Sequence, residues 1–339
     1  MGIFAGLLIL AIATVSVSAQ QRPTQIIDVH LHALAADDQG PPPLAMCTPI
    51  VIPPNPSQPW AERIMEAFKN PLCADPIWSP ETDEALMQRT LAILERRDII
   101  GVTSGPLPLL SRWKAAAPDR ILEAYRLNLR RDAVTPDSLR RALATGRFIA
   151  LAEVTNQYAG MAPDDPAFEP YLAVAEALDV PVGIHIGTGP PGAPYLGFPA
   201  YRARLHSPVA LEEPLVRHPK LRVWIMHAAW PMLDDLLAVL WTHPQVYVDV
   251  GVIIFALPRA EFYRYLKAVV EAGFGDRVMF GSDQMVWPET IERAIQTIEE
   301  APFLTDQQKR DILYGNAARF FRMDRNQAGR AGRQGSDGT

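Results

Sequence analysis

Two histidines one residue apart, His30-Leu31-His32, close an apolar run at 26–32. On a strand, side chains two apart share a face, so both imidazoles project together from the strand's end. Such a pair is half of a Zn²⁺ or Fe²⁺ site. Alone it says little, because seven histidines in 339 residues give one His-x-His by chance in roughly one chain in seven. Three further apolar runs end the same way: Val182-Gly183-Ile184-His185, Trp224-Ile225-Met226-His227 and Phe280-Gly281-Ser282-Asp283. Another, Phe148-Ile149-Ala150-Leu151-Ala152-Glu153, delivers a carboxylate. Imidazoles and carboxylates gathered from separate strand ends are the donor set of a divalent metal centre, able to acidify water or polarise a carbonyl.

Those ends can meet only if one sheet carries them all. Apolar β-type runs occur at 26–32, 98–103, 121–127, 148–154, 181–186, 222–227, 246–250 and 277–282. Amphipathic stretches lie between and after them, at 83–97, 136–145, 166–178, 233–242, 259–272, 288–300 and 305–321. Short, nearly continuously apolar runs fit parallel strands buried on both faces. Eightfold strand–helix alternation predicts an α/β fold, a closed (β/α)₈ TIM barrel, with an open doubly wound sheet as the alternative. In a barrel the C-terminal strand ends form the site face. A barrel takes about 250 residues. A single one is therefore expected over 26–323, with a Pro-rich, loop-rich insertion at 33–80 after the first strand. The polar tail at 324–339, rich in Gly, Arg, Gln and Ser, is expected to be disordered.

Composition narrows the function classes. Hydrophobic residues make up 48% and charged residues 21% of the chain, enough for a packed core. A net charge of −6 argues against a nucleic-acid partner, which needs clustered Lys and Arg. Residues 1–19 form an uncharged apolar leader ending Val17-Ser18-Ala19. The leader reads as a signal peptide cleaved after Ala19, leaving no stable membrane span and an exported, periplasmic or secreted protein. No Lys or Arg precedes its apolar core, and an uncleaved anchor or a buried first helix is the alternative. In an oxidising compartment Cys47 and Cys73 are expected to pair, with two buried free thiols as the alternative. The bridge would close a loop of about 26 residues and contribute on the order of 3 kcal/mol.

The ordered set His30-Leu31-His32, His185, His227 and Gly281-Ser282-Asp283, closing with Tyr314-Gly315-Asn316-Ala317-Ala318-Arg319-Phe320-Phe321, resembles the amidohydrolase superfamily. The similarity is to its amidohydrolase-related branch (amidohydrolase family 2) and covers roughly 26–323. The resemblance implies a metal-dependent hydrolase or a non-oxidative decarboxylase. It also implies metal ligation by His30, His32, His185 and Asp283, with His227 close to the reacting group. In that assignment one divalent ion, expected to be zinc, activates a bound water. Asp283 is ligand and acid/base, and His227 polarises the substrate or acts as acid/base. A merely satisfied His227 is the alternative. Superfamily members differ at the fourth strand. Glu153 is accordingly open between holding a second ion, orienting a ligand imidazole, binding substrate and a structural role.

Loops above the barrel should set specificity. In the segment 187–207, Arg202 and Arg204 are candidates to grip a substrate carboxylate, with Tyr201 beside them, and a solvated Arg is the alternative for each. Asn156, Gln157 and Tyr158 follow Glu153 toward the mouth. His218-Pro219 and His243-Pro244 end helical patterns, His206 is undecided, and Asp249 is structural or touches substrate. Phe262, Tyr263 and Tyr265 read as packing. The function expected is hydrolysis of a C–N or C–O bond in a small-molecule substrate. Decarboxylation of an aromatic or unsaturated carboxylic acid is the first alternative, and a non-catalytic exported metal- or solute-binding protein the second. A homodimer through the outer helices is the oligomer expected.

Overall fold

In the computed structural model, which describes residues 24–323, the eight alternations become eight neighbouring parallel strands. They are β1 (Ile26–His32), β4 (Ile99–Ser104), β5 (Ile121–Leu127), β6 (Ala150–Val154), β7 (Val182–His185), β8 (Val223–Met226), β9 (Val246–Asp249) and β10 (Val278–Met279). Their spatial order equals their chain order. The ring closes where Val29 N donates to Phe280 O at 2.9 Å and Asp283 N donates to His30 O at 2.8 Å. The barrel, not the open sheet, is the architecture. The expected leader at 1–19 and tail at 324–339 lie outside the described residues.

The helices are α1 (Trp60–Lys69), α2 (Asp83–Arg96), α3 (Leu107–Ala116), α4 (Pro136–Ala144), α5 (Glu169–Ala177) and α6 (Glu212–Arg217), followed by α7 (Leu233–Thr242), α8 (Ile253–Ala256), α9 (Arg259–Val269), α10 (Thr290–Glu299), α11 (Asp306–Arg310) and α12 (Asn316–Phe321). α10 shows why they pack: Ile291, Ala294, Ile295 and Ile298 recur at i, i+3, i+4 and i+7, and all are buried, as one helix face on a barrel requires. Each buried isoleucine contributes about 1.5–3 kcal/mol relative to exposure. α4 is started by a capping box, Thr135 with Ser138. A second buried cluster joins Ile27, Val29, Ala150, Ala152, Trp224, Met226 and Met279 of the strands to Phe320 and Phe321 of α12.

Between β1 and α2 the chain makes a two-stranded antiparallel sheet, β2 (Ala45–Met46) and β3 (Ile77–Trp78), with α1 between its strands. A Cys47–Cys73 disulfide ties the segment together. Trp60 Nε1 of α1 donates to Pro191 O at 2.6 Å, joining the segment to the loop after β7. Among the described residues no helix is long and apolar enough to cross a membrane.

Candidate metal centre

Strict alternation would place Asp28, His30 and His32 on one face of β1. The strand does otherwise. Its register against β4 shifts between Asp28 and Leu31, so Val29 and His30 together face the single residue Val102. This bulge changes the phase of the strand. Val29 stays with the buried cluster around Trp224, while His30 and His32 both turn to the mouth, their ring centroids 5.0 Å apart. Asp28 is left behind them, accepting from His30 N and Ser282 N at 3.0 Å each. A matching shift in β6 falls between Leu151 and Val154, where Glu153 enters the mouth.

Four imidazoles converge there, each held from behind through Nδ1. The partners are Asp249 Oδ2 for His30 at 3.2 Å, Ser104 Oγ for His32 at 3.1 Å, Gln157 Oε1 for His185 at 3.1 Å and Gly251 O for His227 at 2.9 Å. A carbonyl or carboxylate oxygen accepts, so Nδ1 of His30, His185 and His227 carries the proton and Nε2 points inward. Glu153 stands at the convergence, its carboxylate 3.6 Å from His32 Nε2, 3.8 Å from His30 and His227 Nε2 and 3.9 Å from His185 Nε2. Asp283 Oδ1 lies 3.0 Å from His32 Nε2 and 3.8 Å from His30 Nε2.

The backbone is shaped around this ring. His227, Ala228 and Ala229 hold φ of +63°, +47° and +53°, and Asp283 holds +52°, left-handed values that cost about 1–2 kcal/mol per residue. The first turn is fixed by His227 N to Asp249 Oδ1 at 3.0 Å, Tyr265 OH to Ala228 O at 2.8 Å and Ala229 N to Ile186 O at 3.1 Å. Gly281 is needed because a Cβ there would lie 2.8 Å from His30 Cβ. Gln284 clamps the His32 backbone, its Oε1 accepting from His32 N at 3.0 Å and its Nε2 donating to His32 O at 2.5 Å.

The electrostatics are those of a cation site. Burial alone would discharge His30, but Asp283 and Asp249 outweigh it and raise the imidazole well above its ordinary range. Burial likewise opposes charge on His227, and Glu153 with Asp283 and Asp249 raises it. His185 is pushed down to about 3 by burial and by the charge of His227. Glu153 and Asp283, which burial would raise, are held below the usual carboxylate range by the histidines around them. Carboxylates and imidazoles thus favour one another's charged forms across the ring. Yet Nε2 of His30 and of His227 is buried with no hydrogen-bond partner. His30, His32 and Asp283, and also Glu153, His185 and His227, place ligand atoms within 4.8 Å of one another. Orphaned inward nitrogens in a carboxylate-rich ring fit a divalent cation.

The six residues expected at the site, His30, His32, Glu153, His185, His227 and Asp283, come together. The loop candidates do not join them. Arg202 and Arg204 are exposed, and Arg202 donates to Pro199 O and Tyr201 O of its own loop. Tyr201 is buried. Its hydroxyl donates to Gly187 O at 2.9 Å and accepts from Gly189 N at 2.8 Å, with His206 Nε2 at 2.9 Å. Tyr158 does reach the ring, with its hydroxyl 3.1 Å from His185 Nε2. Ser104 and Gln284 were missed in the sequence. Ser104 follows the second run by one residue and Gln284 follows Asp283, and such adjacency was the only signal available.

A family model described as amidohydrolase matches residues 27–323. No curated protein matches the chain. The fold is similar to that of an uncharacterised TIM-barrel protein from Bordetella bronchiseptica, at 20% identity and a TM-score of 0.58 over 88% of this chain and 98% of that one. It is also similar to a probable 2-pyrone-4,6-dicarboxylic acid hydrolase from Acinetobacter baumannii, at 16% identity and 0.56 over 87% and 98%. A third likeness is 2,6-dihydroxybenzoate decarboxylase from Rhizobium, at 15% identity and 0.52 over 90% and 100%. The matched span, the closed barrel and the ring of donors at its strand ends agree, and the chain belongs to the amidohydrolase family, in its amidohydrolase-2 branch.

Proposed function

We propose that the protein is an exported, metal-dependent hydrolase that cleaves a C–N or C–O bond in a small organic substrate. The observation that carries this reading is the pair of buried, partnerless Nε2 atoms of His30 and His227 facing Glu153 and Asp283. His30, His32, His185 and Asp283 would hold the ion, expected to be zinc, and Glu153 is within reach of every imidazole to join them or to hold a second ion. A bound divalent ion supplies Lewis acidity, which polarises a carbonyl and lowers the pKa of water. Asp283 takes the proton of the attacking water and returns it to the leaving group. His227, whose charged form its carboxylate neighbours favour against burial, would donate from Nε2 to the oxygen on which charge develops. The Cys47–Cys73 disulfide supports export, since such bridges persist in oxidising compartments.

A second reading, decarboxylation of an unsaturated or aromatic acid, has its own support. The Tyr158 ring packs 4.7 Å from His185 and 4.7 Å from Phe198, a wall that would suit a flat substrate. Neighbours of this fold include proteins named for either reaction. The first test is metal content of the untagged mature protein beside Glu153→Ala. One equivalent in both supports a single ion, and two falling to one in the variant makes Glu153 a ligand. Turnover of candidate substrates in H₂¹⁸O then separates the reactions. Label in the product supports hydrolysis, whereas metal-dependent CO₂ release without label overturns it.

A further inference from the structure

Asp249, at the end of β9, lies behind the ring. It is fully buried, and both its oxygens are saturated. Oδ1 accepts from His227 N at 3.0 Å and Gly251 N at 2.9 Å. Oδ2 accepts from Trp224 Nε1 and faces His30 Nδ1, each at 3.2 Å. Asp249 also places a ligand atom within 4.8 Å of those of His30 and His227, but an oxygen pair already occupied by four donors has little left to offer an ion. We propose that Asp249 is the positioning residue of the centre: one carboxylate fixes the tautomer of His30 through its side chain and the aim of His227 through its backbone. The inference rests on the metal-centre reading above.

The chemistry is asymmetric in a way that can be tested. In Asp249→Asn the two backbone N–H groups are fixed donors, so the amide oxygen must stay at the Oδ1 position. The NH₂ group then faces Trp224 Nε1–H, a donor only, and His30 Nδ1. His30 can satisfy that NH₂ only by accepting through Nδ1, which moves its own proton to Nε2 and removes the lone pair aimed at the ion. Shape and fold are nearly unchanged; the ligand is in the wrong tautomer.

The experiment is zinc affinity by chelator competition for wild type and Asp249→Asn, with the melting temperature of each metal-free protein and ¹⁵N-histidine NMR of the zinc-loaded wild type. The expected result is a folded variant with about 10- to 100-fold weaker zinc binding, and a protonated, slowly exchanging His30 Nδ1 in the wild type. A folded variant that binds zinc as the wild type does overturns the inference. If the variant does not fold, the wild-type spectrum decides, because an unprotonated His30 Nδ1 overturns the inference without any substitution. Wild-type protein that takes up no zinc, nor any other divalent ion, instead overturns the metal-centre reading, and this inference falls with it.

Discussion

The phenol of Tyr158 tests how the ring is tuned at the scale of one atom. His185 Nδ1 donates to Gln157, so its Nε2 accepts from the Tyr158 hydroxyl at 3.1 Å. Burial, then the charge of Glu153, raises that phenol well above its ordinary range, so it remains a donor. An ion reaching His185 must displace this hydrogen bond, whose net worth is about 1 kcal/mol. Tyr158→Phe keeps the ring packing and removes the competitor, so zinc affinity should rise about fivefold, read by chelator competition. A drop in affinity would make Tyr158 a support of the ion instead. At this scale the sequence was informative about donors and silent about what aims them. His30, His32, His185, His227 and Asp283 announce themselves because each ends an apolar run. Ser104 and Gln284 are ordinary polar residues whose role depends on a neighbouring strand, and Arg202 looked chemical but turns to its own loop carbonyls.

Elements were legible where pattern and burial coincide. α7 runs over Leu233–Thr242 as its periodicity predicts. α3 went unread because Pro106 and Pro108 mask its start, although proline is tolerated in a first turn and Leu110 and Trp113 are buried. The last strand, expected at 277–282, is regular only over Val278–Met279. Beyond it, Phe280 O and Asp283 N meet β1 irregularly. The helix expected at 305–321 is broken by a wider turn at Asp311–Gly315. Bulges are the least visible feature, since a phase change in β1 leaves no compositional trace. The docking of α1 gives a test at this scale. Gly192 holds φ +73°, and a Cβ there would lie 2.0 Å from Trp60 Nε1. Gly192→Ala adds backbone strain of about 1–2 kcal/mol to the displacement of Trp60. It should lower the melting temperature by a few degrees and expose the segment 51–59 to proteases. Unchanged melting and cleavage would show that the contact of Trp60 with the loop at Gly192 is not what holds α1, leaving the disulfide and the buried Ile64 and Ala67 to do so.

For the whole molecule, the ring couples stability to pH and to metal, and the sign follows from which form each group prefers when folded. His30 and His227 are raised above 6.5. Their contribution is fully present below 6.5 and is lost as pH rises through the raised folded values. Glu153, Asp249 and Asp283 are lowered, so theirs is present above the ordinary 4.5 and 3.8 and is lost as pH falls through the lowered values. Two groups act oppositely in the acid range. Asp28, raised by burial to about 6, stabilises less as pH climbs through that value. His185, at about 3, stabilises less as pH drops below 6.5, and both effects lie on the acid side of 6.5. The metal-free protein should therefore lose stability as pH rises above 6.5. A divalent ion would replace the proton on the inward nitrogen of His30, which the metal-centre reading makes a ligand, and so weaken that limb, because its affinity grows as the proton leaves. At about 100 times its Kd the ion adds about 2.7 kcal/mol. Melting temperatures of stripped and zinc-loaded protein, measured from pH 6 to 8.5 at fixed free zinc, should thus diverge steadily with pH. Parallel curves would mean that zinc binds without displacing that proton, and the inward nitrogen of His30 would then not be its ligand.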